Sequence, residues 1–161
     1  MEFVVDTNIV FSALIGTKTK DTLSIALITV ELHTVTELFK ELEEHWVKIT
    51  RHTYLPAHLL DQFYKTIRDT TTIHSTDIIP DDIIEMAMRL VAGVDPDDWP
   101  FVALAMFLGV PLWTGDKGLL VLSAETGFKW FTAVDTEGVE LLLRGEPLDS
   151  VLERMREKYL R

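Results

Sequence analysis

Apolar residues fall along this chain in short runs whose spacing alternates between two periods. Glu2-Phe3-Val4-Val5-Asp6 is a compact apolar run that ends in a carboxylate and reads as a strand. From Thr7-Asn8 onward the spacing turns helical through Ile9, Val10, Ala13 and Leu14, and Asp21-Thr22 open a second helix carrying Leu23, Ala26 and Leu27. Val30 to His33 reads as the next strand. Thr36 is expected to cap one helix through Leu38, Leu42, His45, Trp46 and Ile49, and Pro56 to start another through Leu59, Leu60, Phe63 and Ile67. Thr70 to His74 is rich in β-branched residues and suits a strand. Helix returns after Pro80-Asp81-Asp82 through Leu90, with Gly93 as its stop.

The sharpest punctuation is Asp95-Pro96-Asp97-Asp98-Trp99-Pro100. Behind it, Phe101 to Leu108 is apolar on all sides, as a buried helix is, and Gly109 ends it. Pro111 to Thr114 and Phe128 to Ala133 read as strands, and 135–143 and 148–160 as terminal helices. Strands alternating with helices predict an α/β fold of three layers, a mostly parallel central sheet with helices on both faces. The chain shows no internal repeat, and with 161 residues, 47% of them hydrophobic, it is expected to form a single domain over 1–161.

In such sheets ligands bind beyond the carboxyl ends of the strands. Asp6 closes the first strand and Asp116 follows Leu112-Trp113-Thr114-Gly115 just beyond a later one, so both are candidates for one cleft. Each has a second reading, as a helix cap or turn residue. The same choice applies to Asp98, which opens the buried helix and ranks ahead of Asp95 and Asp97 because it sits on a rigid element. Asn8 and Thr114 could orient ligands from behind, and Gly115 could let the backbone turn sharply. Glu37, Glu41, Glu43 and Glu44 are harder to order, since an amphipathic helix carries such residues on its solvated face.

Composition narrows the chemistry. Cysteine is absent, which excludes disulfides, thiolate metal sites and cysteine nucleophiles. His33, His45, His52, His58 and His74 share no spacing of a zinc motif, and none is assigned to catalysis. Trp46, Trp99, Trp113 and Trp130 are expected in the core or a dimer interface in preference to stacking bases. No apolar run approaches the roughly 18 residues a membrane span needs, and the start of the chain lacks the basic and small-residue features of a secretory signal, so a cytoplasmic protein is expected. A formal net charge of -11 works against a surface that attracts nucleic acid everywhere. Acids gathered around a bound divalent cation would reverse that field locally.

Four segments, Val4-Val5-Asp6-Thr7-Asn8, Glu41-Leu42-Glu43-Glu44-His45, Asp95 to Ala105 and Leu112-Trp113-Thr114-Gly115-Asp116, together resemble the PIN-domain family in the family's own order. The family pattern is an Asp-Thr-Asn after the first strand, an acid in the helix after the second, an Asp opening a buried helix, and an Asp after a Trp-Ser/Thr strand. Asp6, Glu41, Asp98 and Asp116 occupy those positions. The middle helix is similar to an archaeal-type branch reading Glu-Glu-Leu-Glu-Lys-His, with Lys40 in place of the first Glu and Glu44 in place of the Lys. Glu41 stays aligned, and Glu37 is the fallback.

The resemblance implies a ribonuclease, often the toxin of a toxin–antitoxin pair with an antitoxin protein as partner, and frequently a homodimer. Hard carboxylate oxygens suit Mg²⁺ or Mn²⁺. The expected mechanism is metal-assisted hydrolysis of an RNA phosphodiester, with Asp6 and Asp116 sharing one ion and Asp98 and Glu41 completing its coordination or supporting a second. Lys117, Lys18 and Lys20 are candidates for touching the substrate backbone, each with ordinary surface lysine as the competing reading. Three rivals remain. A haloacid-dehalogenase-type phosphatase wants Asp-x-Asp, but Asn8 stands at the third position. A phosphoacceptor receiver domain wants paired acids at its first strand, where Asp6 is followed by Thr7. The last is a catalytically silent PIN-like module that binds RNA or a partner.

Overall fold

A computed structural model describes all 161 residues. Five parallel strands, β1 (Glu2–Val5), β2 (Glu31–Val35), β3 (Thr72–His74), β4 (Leu112–Trp113) and β5 (Ala133–Val134), form one sheet in the order β3-β2-β1-β4-β5. The helices are α1 (Thr7–Leu14), α2 (Lys18–Thr29), α3 (Thr36–Glu44), α4 (Trp46–His52), α5 (Ala57–Thr70), α6 (Asp81–Val91), α7 (Trp99–Leu108), α8 (Lys117–Glu125), α9 (Thr136–Leu143) and α10 (Leu148–Tyr159). Short 3₁₀ turns at Thr76–Ile78 and Pro96–Asp98 precede α6 and α7. No helix is long and apolar enough to cross a membrane.

The chain starts at the centre of the sheet, moves outward through β2 and β3, then crosses back to lay β4 and β5 on the other side of β1. The strand order therefore reverses between β1 and β4, where a doubly wound sheet opens a crevice at its carboxyl ends. Registers of Val4 with His33 on one side and Leu112 on the other, and of Val5 with Trp113, bring the ends of β1 and β4 level. Asp6 and Thr114 leave the sheet side by side.

The buried helix predicted behind the Asp/Pro cluster is α7. Pro100 to Ala105 are all buried, and Gly109 ends it in the left-handed conformation at φ 67°. Phe3, Phe101, Trp113, Leu38 and Leu104 lie fully inside one continuous core. Trp113 also donates from its indole to Thr136 Oγ1 at 3.1 Å.

Several local expectations are corrected. The helix expected from Thr36 through Ile49 is two helices, broken at His45, and Thr36 lies inside α3 while Val35 holds the cap position without a side-chain bond. α2 begins at Lys18, before the acidic start signal at Asp21. The segment after Asp116, to which the apolar pattern assigns no element, is α8. Phe128 to Thr132 is not strand: Gly127 and Phe128 take positive φ, and Ser123 Oγ bridges the Phe131 carbonyl and the Ala133 N–H, leaving only Ala133–Val134 to pair. Gly115 has no positive φ, and a Cβ there would meet only Ile9 Cδ1 at 3.9 Å, so the turn before Asp116 does not demand glycine.

Candidate active site

Asp6 is 2% exposed, and its two oxygens are both engaged. Ile9 N–H donates to Oδ1 at 3.1 Å, and the Thr114 hydroxyl donates a short hydrogen bond to Oδ2. Thr114 Oγ1 in turn accepts from the Asp116 N–H at 3.0 Å, and Asp116 Oδ1 accepts from Leu119 N–H at 2.9 Å. Asp6 and Asp116 thus cap α1 and α8, and the buried Thr114 hydroxyl ties the two turns together. Capping fixes both carboxylates while leaving each with free lone pairs, because a carboxylate carries about four acceptor sites.

Asp98 behaves differently. It occupies the cap position of α7 yet makes no cap hydrogen bond, so the capping account of this residue does not hold. Glu41, on α3, is half-buried and its carboxylate makes no hydrogen bond of normal geometry; the Thr7 hydroxyl facing it is buried and unpaired. Two anchored acids therefore face two whose carboxylates are not held by hydrogen bonds.

These groups meet at a cleft of about 380 Å³ lined by Asp6, Thr7, Asn8, Glu41, Glu44, His45, Asp95, Asp97 and Asp98, six carboxylates with no lysine or arginine among them. Asp116 stands beside the cleft, near enough to disfavour ionisation of both Asp6 and Asp98. Glu37 does not line it. Asp95 and Asp97, ranked behind Asp98 from the sequence, are exposed to water and also line the cleft, with Asp95 Oδ1 accepting from the Asp97 N–H at 3.0 Å. His45, left without a role by sequence reasoning, is there because the break between α3 and α4 turns it in. A short-range break of that kind has no apolar-periodicity signal. Lys117 is exposed next to Asp116, while Lys18 and Lys20 lie along other surface grooves, Lys20 with its ammonium 5.4 Å from the centre of the Phe63 ring.

The electrostatics follow from crowding. Burial, opposed by the hydrogen bonds from Thr114 and Ile9, pushes Asp6 up to about 6. Burial, then repulsion from Asp95, Asp6, Asp116 and Glu41, pushes Asp98 up to about 7. Glu41 is raised by burial, with the Thr7 hydroxyl opposing and Asp97 and Glu44 adding repulsion. Acids disposed this way favour a positive charge among them, and an all-oxygen donor set suits a hard divalent cation. The unpaired Thr7 hydroxyl and the absence of lysine and arginine from the lining fit such a group.

Gly118, in the first turn of α8, explains how the acid-bearing loops are held together. A Cβ there would stand 2.4 Å from Val94 Cγ1 and 3.1 Å from Asp116 Oδ1. The missing side chain lets the loop that leads into Asp95–Asp98 pack directly on the helix that Asp116 caps.

Comparison with known proteins places the chain. Two solved structures share the fold: VapBC2 from Rickettsia felis, determined bound to a DNA fragment from their promoter, at TM-score 0.59 and 10% identity over 84% of this chain and 98% of that one; and PAE2754 from Pyrobaculum aerophilum, at TM-score 0.56 and 16% identity over 96% and 95%. No curated protein sequence matches. The family model for the PIN domain matches residues 4–153. It takes in all four strand-end and helix acids, and the chain belongs to the PIN domain family.

Proposed function

We propose that this protein is a divalent-metal-dependent ribonuclease that hydrolyses RNA phosphodiester bonds at the acidic cleft, with Asp6, Glu41, Asp98 and Asp116 as metal-holding catalytic residues. The observation that carries the reading is the pairing of two anchored carboxylates with two unanchored ones around a cleft without lysine or arginine. Asp6 and Asp116 supply fixed oxygens, and Thr114 orients both. Asp98 and Glu41 rotate inward to complete the donor set, since in the structure no three of these acids bring oxygens within 4.8 Å of one another. Asn8 lines the cleft and offers an amide to a phosphate oxygen, and Lys117 stands where a backbone phosphate leaving the cleft would pass. Mg²⁺ or Mn²⁺, when bound, lowers the pKa of a coordinated water and offsets charge on the phosphoryl oxygens.

The Rickettsia felis relative is a VapBC2 assembly, and on that likeness we read this chain as the toxin of a toxin–antitoxin pair, acting in the cytoplasm. Exposed Ile25 and Ile28 on α2, with Val47 and Tyr54, give apolar surface for an antitoxin or a second copy in a homodimer. A second reading, a silent RNA- or partner-binding module, has one observation in its favour: the net charge of -11.

The deciding experiment incubates purified protein with mixed fluorescent RNA oligomers in Mg²⁺, Mn²⁺ or EDTA, with Asp98→Asn in parallel. Cleavage that requires metal and disappears in the variant supports the ribonuclease. Binding of RNA without turnover, by folded protein in every metal, supports the silent module.

A further inference from the structure

At the other end of the sheet, parallel pairing creates a second cluster that the cleft does not use. Glu2 and Glu31 open β1 and β2 in direct register, so their side chains leave the same face about 4.8 Å apart. His33 is two residues further along β2, on that same face, and is 5% exposed. Its Nε2 lies 2.9 Å from Glu2 Oε1 and 3.6 Å from Glu31 Oε1. One atom from each of the three residues falls within a 4.8 Å sphere of mutual distances, the closest grouping of potential ligands in the chain. From β3, His74 Nε2 meets the other ring nitrogen, His33 Nδ1, at 2.9 Å.

We infer that Glu2, Glu31 and His33 form a binding site for a borderline divalent cation of the zinc class, separate from the acidic cleft, with His74 as the hydrogen-bond partner of the other His33 ring nitrogen. Zinc bonds to imidazole nitrogen and carboxylate oxygen are about 2.0–2.2 Å long, which at tetrahedral angles separates neighbouring ligand atoms by roughly 3.3 Å. The 2.9 and 3.6 Å from the imidazole to the two carboxylates bracket that spacing, and all three ligand atoms lie within 4.8 Å of one another, so an ion seats by rotation of the two glutamate side chains. Charge points the same way: both carboxylates turn to the one imidazole, and neither forms an ion pair with a lysine or arginine. Without an ion, His33 Nε2–H donates to the Glu2 carboxylate; a bound ion would take the place of that proton, and Nδ1–H would then donate to His74, the partner that a metal-bound histidine needs on its second nitrogen. The half-exposed glutamates leave the fourth position open to water. An imidazole ligand discriminates against Mg²⁺, which prefers oxygen.

The inference stands apart from the ribonuclease reading, and its test uses zinc alone on the metal-stripped full chain. Calorimetry gives affinity and stoichiometry, while ¹⁵N resonances of the histidine rings report where the ion sits. Zinc is expected to move the His33 Nε2 resonance and to leave the proton on Nδ1, and Mg²⁺ to leave both nitrogens as they are. The Glu2→Gln/Glu31→Gln variant, altered only at half-exposed positions, is expected to weaken that binding tenfold or more, and Asp98→Asn to leave it unchanged. His33 resonances unmoved at saturating zinc, unchanged affinity in the double glutamine variant, or loss of all zinc uptake in Asp98→Asn would each overturn the site.

Discussion

Replacing Asp98 with Asn removes a charge that the metal-free fold resists and, because the side chain caps nothing, removes no hydrogen bond with it. The carboxyl is raised from 3.8 to about 7. At 1.36 kcal/mol per pKa unit that difference is worth at most about 4 kcal/mol of lost stability once the group is ionised in both states. Nearly half of the group faces solvent, where salt and water screen the repulsion, so a realistic figure is about 1–2 kcal/mol. An aspartate whose folded-state pKa is raised binds more protons folded than unfolded between the two values, so stability falls as pH rises from about 4 to about 7 and is level beyond. In EDTA at pH 8, Asp98→Asn is therefore expected to be more stable than the unaltered chain by about 1–2 kcal/mol, and at pH 4 to show no gain. Saturating Mg²⁺ should narrow or reverse the difference by stabilising only the chain that binds it well. Urea unfolding at both pH values, with EDTA or Mg²⁺, reads all of this directly. A variant less stable than the parent in EDTA at pH 8, or equally stabilised at pH 4 and 8, refutes the electrostatic account of the cleft.

Glu41→Gln is expected to lower RNA cleavage on the order of 100-fold, while Glu37→Gln, outside the cleft, should stay within about threefold in the same assay. Mg²⁺ affinity measured by calorimetry should weaken steeply as pH falls from about 7 through 6, because the ion displaces protons from Asp98 and Asp6; a flat profile would contradict the raised values. Thr114→Val strips Asp6 and the Asp116 N–H of their shared partner, at a cost of about 1–3 kcal/mol. It also removes a bond that lowers the Asp6 pKa, so the acid limb of the pH–rate profile should move to higher pH as the melting temperature drops. Gly118→Ala forces Val94 off α8 and should cost about 1–3 kcal/mol with reduced kcat, read by thermal melts and single-turnover cleavage.

Apolar periodicity located the sheet, the buried α7 and the carboxyl-end position of Asp6 and Asp116, because those features depend on burial and burial shows as spacing. Ordering the acids was harder. Asp98 and Asp116 carry the same local signal, an acid before an apolar run, yet only Asp116 caps its helix. Whether a carboxylate turns to a backbone N–H or away from it is settled by tertiary crowding. α8 escaped notice because Gly118 weakens the helical signal of its first turn, and that glycine answers to Val94, twenty-four residues away. His33 and His74 have no common spacing along the chain and become neighbours only through the pairing of β2 with β3.

The hydrogen bond between Thr114 and Asp6 joins residues 108 positions apart in the chain. During synthesis, β1 emerges first but its central place in the sheet is completed only when β4 docks beside it. A nascent chain short of residue 114 lacks both the hydroxyl that steadies Asp6 and the last of the four acids. The cleft is therefore completed by the crossover into β4 and not by the first strand, so a fragment ending before β4 is expected to be inert toward RNA. On the proposed ribonuclease function, that order delays activity until most of the protein's own message has been read.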